Sequence, residues 1–219
     1  HVFVHESIAD AFVEGMRARI TAVYGSDASA RFNSPDLARI VNARHTARVR
    51  HLLDDASARG AQIVVGGEVV EESCFISPTV LDRVPVDAAI MREEIFGPLL
   101  PVIRFSELDE VIERINADEK PLALYLWGRD RQRIRTLLDR TSSGGACVNN
   151  TVVQVLHPNL PFGGVNHSGL GSTHGEFGFR AFSHPRAIAD TRIALVSLFY
   201  APYTARVRAL IRLVLRWMA

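Results

Sequence analysis

Leu99-Leu100-Pro101-Val102-Ile103-Arg104-Phe105, then Leu122-Ala123-Leu124-Tyr125-Leu126-Trp127, then Gly145-Ala146-Cys147-Val148, are apolar runs separated by amphipathic ones. Ser106-Glu107-Leu108-Asp109 supplies a helix start ahead of Val111, Ile112 and Ile115, and Asp130 supplies another ahead of Ile134, Leu137 and Leu138. These polar side chains can accept from the free backbone N–H groups of a first helical turn. The unit recurs at about twenty-two residues. Continuous apolar strands alternating with one-faced helices predict βαβ units and a parallel sheet buried on both faces. Ligands of such sheets collect past the carboxyl ends of the strands. Asn149-Asn150 falls at such an end, and a glycine-rich segment follows shortly after.

Upstream, Val2 to Val4 reads as a strand and Ser7-Ile8-Ala9-Asp10 as a capping box. Ile8, Phe12, Met16, Ile20 and Val23 follow at helical spacing, and Gly25 is a stop. Residues 26–34 read as loop. Ser34-Pro35 opens a second helical region with Leu37, Ile40, Val41, Val49, Leu52, Leu53 and Ala56 on its buried face, ended by Gly60. Gln62–Val65 and Thr79–Leu81 read as short strands around a turn at Gly66-Gly67. Downstream, Glu176–Phe182 reads as a short helix, Ala187–Val196 as extended and Pro202–Met218 as a basic amphipathic helix.

The 219 residues suffice for one large or two small domains, and the formal net charge of +1 gives no nucleic-acid footprint. No run reaches the ~18 apolar residues of a membrane span. Cys74 and Cys147 sit in apolar, strand-like surroundings without Cys-x-x-Cys spacing, which predicts reduced core thiols and a cytoplasmic setting. No signal peptide is visible, and His1-Val2-Phe3-Val4-His5 reads as the middle of a domain. His167 and His174 lack a completing carboxylate or cysteine, so no metal site is expected. Ser168 has no recognisable histidine and aspartate partners, which argues against a hydrolase.

Two segments carry the chemistry. Pro161-Phe162-Gly163-Gly164-Val165-Asn166-His167-Ser168-Gly169 lacks the lysine of a phosphate loop and the spacing of a dinucleotide fingerprint. Its residues favour a tight loop in which glycines permit positive φ and close backbone approach. Glu93-Glu94 alone reads as a solvated acidic pair. The adjoining Ile95-Phe96-Gly97-Pro98 instead puts a carboxylate on a rigid turn. A fixed carboxylate can accept from both hydroxyls of a ribose, and an aromatic neighbour can pack beside a flat nicotinamide.

In order and separation, these two segments together resemble the paired signatures of the NAD(P)-dependent aldehyde dehydrogenases, over roughly residues 1–205. The class 3-like branch, which includes fatty and coniferyl aldehyde dehydrogenases, is most similar. Phe75-Ile76-Ser77-Pro78-Thr79-Val80-Leu81 resembles the family's extended segment before Glu-Glu-Ile-Phe-Gly-Pro. His174-Gly175, Gly178-Phe179, Phe182-Ser183-His184 and Tyr203 resemble the branch's ending. The resemblance implies an α/β fold of three layers, a mostly parallel sheet flanked by helices, incomplete here. Residues 1–190 would be the C-terminal part of the catalytic domain with its assembly segment. Residues 191–219 would be an extended segment and the basic helix.

The implied reaction is oxidation of an aldehyde to a carboxylic acid. A cysteine thiolate attacks the aldehyde, hydride passes to NAD or NADP, and a glutamate activates water to release the acid. Only two implied positions match this chain, both cofactor-binding: Glu94 on the nicotinamide ribose and Phe96 beside the ring. No catalytic residue is carried over, because the nucleophile, general base, oxyanion donor and dinucleotide domain fall ahead of His1 in the family pattern. The chain alone is therefore expected to be inactive. Asn166, where Val-Gly is usual, and Asn150, where Asp is usual, depart from the pattern. A homodimer in the full-length enzyme is implied. The alternative is a non-catalytic binding or assembly module docking on a partner subunit or, through Arg206, Arg208, Arg212 and Arg216, on a membrane surface.

Overall fold

A computed structural model of the chain describes residues 1–193 and 195–218, with the side chains of Leu195 and Met218 outside the description. The first half runs β1 (Val2–His5), α1 (Glu6–Tyr24), α2 (Ala28–Asn33), α3 (Ala43–Ala58), β2 (Gln62–Val65), β3 (Val69–Val70), β4 (Phe75–Ile76) and β5 (Thr79–Asp82). The second runs β6 (Leu99–Phe105), α4 (Leu108–Ala117), β7 (Ala123–Leu126), α5 (Arg131–Arg140), β8 (Gly145–Val148), α6 (Val153–Leu156), α7 (Gly175–Ala181) and α8 (Ala205–Met218).

The main sheet has the order β1-β6-β5-β2, with β6 parallel to both β1 and β5 and β2 antiparallel to β5. Successive residues of β5 face opposite ways. Val80 joins Ala9, Val13 and Ile20 of α1 on one face, while Leu81 joins Val49, Leu52, Leu53 and Ala56 of α3 on the other. The result is the expected three-layer, mostly parallel α/β arrangement. The alternation from residue 99 is also as read: at the start of α4 Glu110 Oε1 accepts from Glu107 N–H at 3.2 Å, and Asp130 Oδ1 accepts from the N–H groups of Gln132 and Arg133. However, β7 does not pair with β6. It forms a separate parallel pair with β8, over a small core of Ile112, Leu126 and Leu137.

Several local expectations are corrected. Helix α1 starts at Glu6, because His5 Nδ1 accepts from Ser7 N–H at 3.2 Å, so Ser7 lies inside the first turn and does not cap it. Ala9 and Val13 are buried, whereas Ile8 and Val23 are exposed. Residues 26–34 contain α2, because Asp27 accepts from Ala30 N–H at 2.9 Å. Ser34-Pro35 opens no helix: Ile40 N–H is taken by Cys74 O at 2.8 Å, and Asn42 caps α3 instead. The antiparallel pair β3–β4 was not foreseen. Cys74 is half-buried and closes a 3-10 turn at φ 52°, unlike the strand-like setting expected, whereas Cys147 is buried in β8. Both are free thiols. The expected extended run Ala187–Val196 includes Ala194, which lies outside the described residues, and its end falls in a 3-10 turn, Leu195–Phe199. Met218, placed on the apolar face of the tail helix, has a side chain outside the described set.

The accessible surface is 15279 Å². A compact monomer of this mass exposes roughly 10,000 Å². Much of the difference is apolar: Phe179, Phe182, Ile188, Ile193, Leu213, Leu215 and Trp217 are all exposed.

Arg104 at the far end of β6 joins three elements. Its guanidinium makes two hydrogen bonds to Asp82 of β5, at 3.1 and 2.7 Å, and reaches Asp10 of α1 at 2.7 Å. Burial alone would raise the Asp82 pKa, but the Arg104 hydrogen bonds, the Arg83 N–H and the arginine charge outweigh it and hold the carboxyl below its ordinary range. A depressed folded pKa gives stability that is present above the unfolded value, ~3.9, and lost as pH falls through the folded value. Asp82→Asn should cost about 3 kcal/mol, the low end for breaking a buried pair, since Asp10 still faces the guanidinium. Urea denaturation at pH 7 measures the loss. The same titration at pH 3 should show a smaller gap between the two proteins.

Candidate functional site

Residues 93–98 form the turn that leads into β6. Two contacts shape it. Arg48 of α3 donates to the carbonyl oxygens of Glu94, at 3.0 Å, and Ile95, at 2.6 Å, and lies 3.6 Å from the Glu93 carboxylate. Gly97 lies so close to α3 that a Cβ there would stand 2.9 Å from Val49 Cγ1. Beyond the turn, Pro98 O accepts from Thr79 N–H at 2.8 Å, which starts the β5–β6 ladder.

With its backbone held this way, the turn projects Glu94 and Phe96 outward. Glu94 is exposed, and its carboxylate has no hydrogen bond or ion pair among the described residues. Phe96 is 79% exposed at φ 47°. A bulky residue in the left-handed region costs of order 1–3 kcal/mol, and such residues cluster at ligand clamps. A free carboxylate beside a presented aromatic ring fits the sugar and ring of a nicotinamide nucleotide: one side offers acceptors for hydroxyls, the other a flat apolar surface.

The glycine-rich loop behaves as a tight loop. A Cβ on Gly163 would collide with Gly171 O, and one on Gly164 with Ser168 O. Asn166 has φ 55°, a conformation that asparagine tolerates better than most residues. Ser168 Oγ bonds both N–H and C=O of Val165 at 2.9 Å. Phe162 stacks on His174 with centroids 5.7 Å apart.

The location differs from expectation. Gly163 O and the Gly164 backbone sit against Gly144, just ahead of β8, beside Leu122 O just ahead of β7. The loop thus returns to the amino ends of these strands, although its approach past Asn149-Asn150 suggested the carboxyl ends. The turn 93–98 likewise precedes the amino end of β6. No hydrogen bond, ion pair or ring contact joins Glu94 to residues 161–171 among the described residues.

Two organising residues escaped the sequence reading. Arg48 lies on a helix far from the turn in sequence, and nothing local signals its target. Asn149 has φ 56°, and its amide both accepts from Gly128 N–H, at 2.8 Å, and donates to Gly128 O, at 2.9 Å, fastening the carboxyl ends of β7 and β8 together. A polar residue closing an apolar strand was the available hint. No group of three or more His, Cys, Asp or Glu that could hold a metal ion occurs among the described residues.

The turn 93–98 thus sits on a three-layer, mostly parallel α/β chain and presents a carboxylate beside an aromatic ring. Residues 1–188 match the Aldehyde dehydrogenase family. The chain is 40% identical over 202 residues to the 4,4'-diaponeurosporen-aldehyde dehydrogenase of Staphylococcus aureus, covering 92% of this chain and 43% of that protein. It is 39% identical over 186 residues to aldehyde dehydrogenase family 3 member A2 of Mus musculus, covering 85% of this chain and 37% of that one. The structure of the substrate-bound state of Staphylococcus aureus AldH superposes with a TM-score of 0.80 at 36% identity, over 97% of this chain and 45% of that one. This chain belongs to the aldehyde dehydrogenase family, with class 3 members among its relatives, and spans less than half the length of the relatives it matches.

Gly97→Ala should destabilise the chain by about 1–3 kcal/mol through overpacking against Val49. A double-mutant cycle with Val49→Ala in urea denaturation should return a favourable coupling, because the smaller side chain accommodates the added methyl. Additive costs would mean that the turn does not press on α3.

Proposed function

We propose that this chain is the C-terminal part of an NAD(P)-dependent aldehyde dehydrogenase that oxidises an aldehyde to a carboxylic acid. The observation that carries this reading is Glu94: a carboxylate without a partner among the described residues, on a backbone fixed by Arg48, next to an aromatic ring held outward in a left-handed conformation. Bound NAD or NADP supplies the hydride acceptor. Glu94 accepts from the hydroxyls of the nicotinamide ribose, and Phe96 limits the positions of the ring. Arg48 acts one step back, holding the two carbonyls that set the direction of both side chains.

The chain's own thiols are poorly placed for attack on an aldehyde. Cys147 is buried within β8, and Cys74 closes a half-buried turn. A reactive cysteine needs an accessible, electropositive setting. Turnover therefore requires a nucleophile from outside these 219 residues, and this chain alone is inactive. A full-length homodimer and a cytoplasmic setting complete the proposal. In enzyme reconstituted with an N-terminal half from a family relative, Glu94→Gln should slow hydride transfer about tenfold or more by loosening the nicotinamide. Single-turnover measurement of NAD(P)H formation reads this directly. Unchanged kinetics would remove Glu94 from the site.

The C-terminal helix supports one addition, peripheral contact with an anionic membrane. Helix α8 packs on the turn Leu195–Phe199, presents Arg208, Arg212 and Arg216 at four-residue spacing, and leaves Leu213, Leu215 and Trp217 exposed. Basic amphipathic helices of this kind lie in the interface plane of a bilayer. No helix among the described residues is long and apolar enough to cross one. Co-sedimentation with phosphatidylserine vesicles should fall at least several-fold when residues 203–219 are removed, and equal sedimentation would reject the contact.

A further inference from the structure

We infer that Asp55 of α3 is a positioning residue for Glu94: it fixes the entry of a wound segment whose exit carries the presented carboxylate, a role that deepens the reading of Glu94 as acceptor of the nicotinamide ribose hydroxyls and rests on it. The segment, residues 88–95, winds through the 3-10 turn Ala89–Met91. Met91 N–H donates to Ala88 O at 3.0 Å, Arg92 N–H to Ala89 O at 2.9 Å and Glu93 N–H to the same oxygen at 3.1 Å. Winding leaves the first N–H of such a turn without an acceptor inside it. Here that group, Ala89 N–H, donates to Asp55 Oδ2 at 2.8 Å.

Helix α3 acts as a ruler beneath this segment. Arg48, Leu52, Asp55 and Arg59 follow at helical spacing, which places them along one face. Arg48 holds the exit through the carbonyls of Glu94 and Ile95, and Asp55 holds the entry at Ala89. The two holds are ~10 Å apart along the helix axis, at 1.5 Å per residue. Between them Leu52 is buried in one cluster with Ala88 and Ile90. Fully extended, the chain from Ala89 to Glu94 would reach ~17 Å. The winding that begins at Ala89 takes up this difference. If the entry unwinds, the slack passes to the exit, and the Glu94 carboxylate loses its fixed position.

Asp55 is itself braced. Arg59 Nε donates to Asp55 Oδ1 at 2.8 Å, and Arg59 Nη1 donates to Asp87 Oδ2 at 2.8 Å. One guanidinium therefore ties the carboxylate to the chain just ahead of Ala89. The Arg59 hydrogen bond, joined by that of Ala89 N–H, keeps the Asp55 carboxyl below its ordinary range. It is a charged acceptor at neutral pH, and hydrogen bonds to an ionised acceptor are the stronger kind.

Hydrogen exchange in the 219-residue chain tests the hold, and single-turnover NAD(P)H formation tests what it positions. Kinetics are read in a full-length chimera, the Staphylococcus aureus relative with this chain in place of its matched part. Asp55→Ala should speed exchange of the Ala89 and Glu93 amides about tenfold or more, and slow hydride transfer about threefold or more. Asp55→Asn keeps an acceptor for Ala89 N–H and should recover most of both. Because Asp55 acts through Glu94, Asp55→Ala should slow hydride transfer no further in a Glu94→Gln background. Equal slowing in both backgrounds would mean general loosening and overturn the inference. Unchanged exchange at Ala89 would overturn it with or without an active chimera. Unchanged hydride transfer in Asp55→Ala, where Glu94→Gln is slow, would overturn it while leaving the reading of Glu94 intact. If Asp55→Ala does not fold, Arg59→Ala decides: it keeps the Ala89 bond but removes its brace, and should give smaller changes in the same direction. Their absence would also overturn the inference. Glu94→Gln alone decides the underlying reading. Unchanged kinetics there would remove Glu94 from the site, and the role of Asp55 with it, however fast Ala89 exchanges.

Discussion

The parallel pairing of β6 with β1 on one side and β5 on the other is the constraint on which the structure rests. At its amino end, the Thr79–Pro98 hydrogen bond starts the β5–β6 ladder and fixes where the turn 93–98 begins. At its carboxyl end, Arg104 binds Asp82 and Asp10, so one guanidinium joins two strands and a helix. Between these points Val102 is fully buried. Loosening either end would shift the register of β6, and a one-residue slip would turn its whole buried face outward.

The turn is presented by packing from behind. Helix α3 contributes the apolar stripe that covers one face of the sheet and also Arg48, which grips the two carbonyls next to the presented side chains. Gly97 permits that closeness, and the left-handed Phe96 records its cost. The glycine-rich loop has a different role. Its glycines allow backbone to lie on backbone beneath β7 and β8, which shapes one end of the sheet without offering a charged group.

Much of the fold was legible from residues because the strands from Leu99 onward are apolar but for Arg104, and α4 and α5 carry their own start signals. Asp130 and the Glu107–Glu110 pair act within a few residues, the range over which sequence pattern is informative. What misled was competition at that same range. Ser7 looked like a cap, but the His5 ring took its N–H; Ser34-Pro35 looked like a start, but Ile40 was engaged by Cys74. The separation of the β7–β8 pair from the sheet of β6 was invisible, because periodicity reports that strands alternate with helices and says nothing about which strands are neighbours. In the site, Glu94 and Phe96 stood out through their neighbours Gly97 and Pro98, while Arg48 did not, because its partners lie more than forty residues away.

The broad hydrophobic exposure of the folded chain has a calorimetric consequence. A chain of 219 residues ordinarily gains about 2.6–3.3 kcal/mol/K in heat capacity on unfolding, at ~12–15 cal/mol/K per residue. That increment reflects newly hydrated nonpolar groups, and here many, Trp217 and Phe182 among them, are wet before melting begins. The increment should be smaller and the stability curve correspondingly flatter, with cold and heat denaturation moved apart and the maximum shallow.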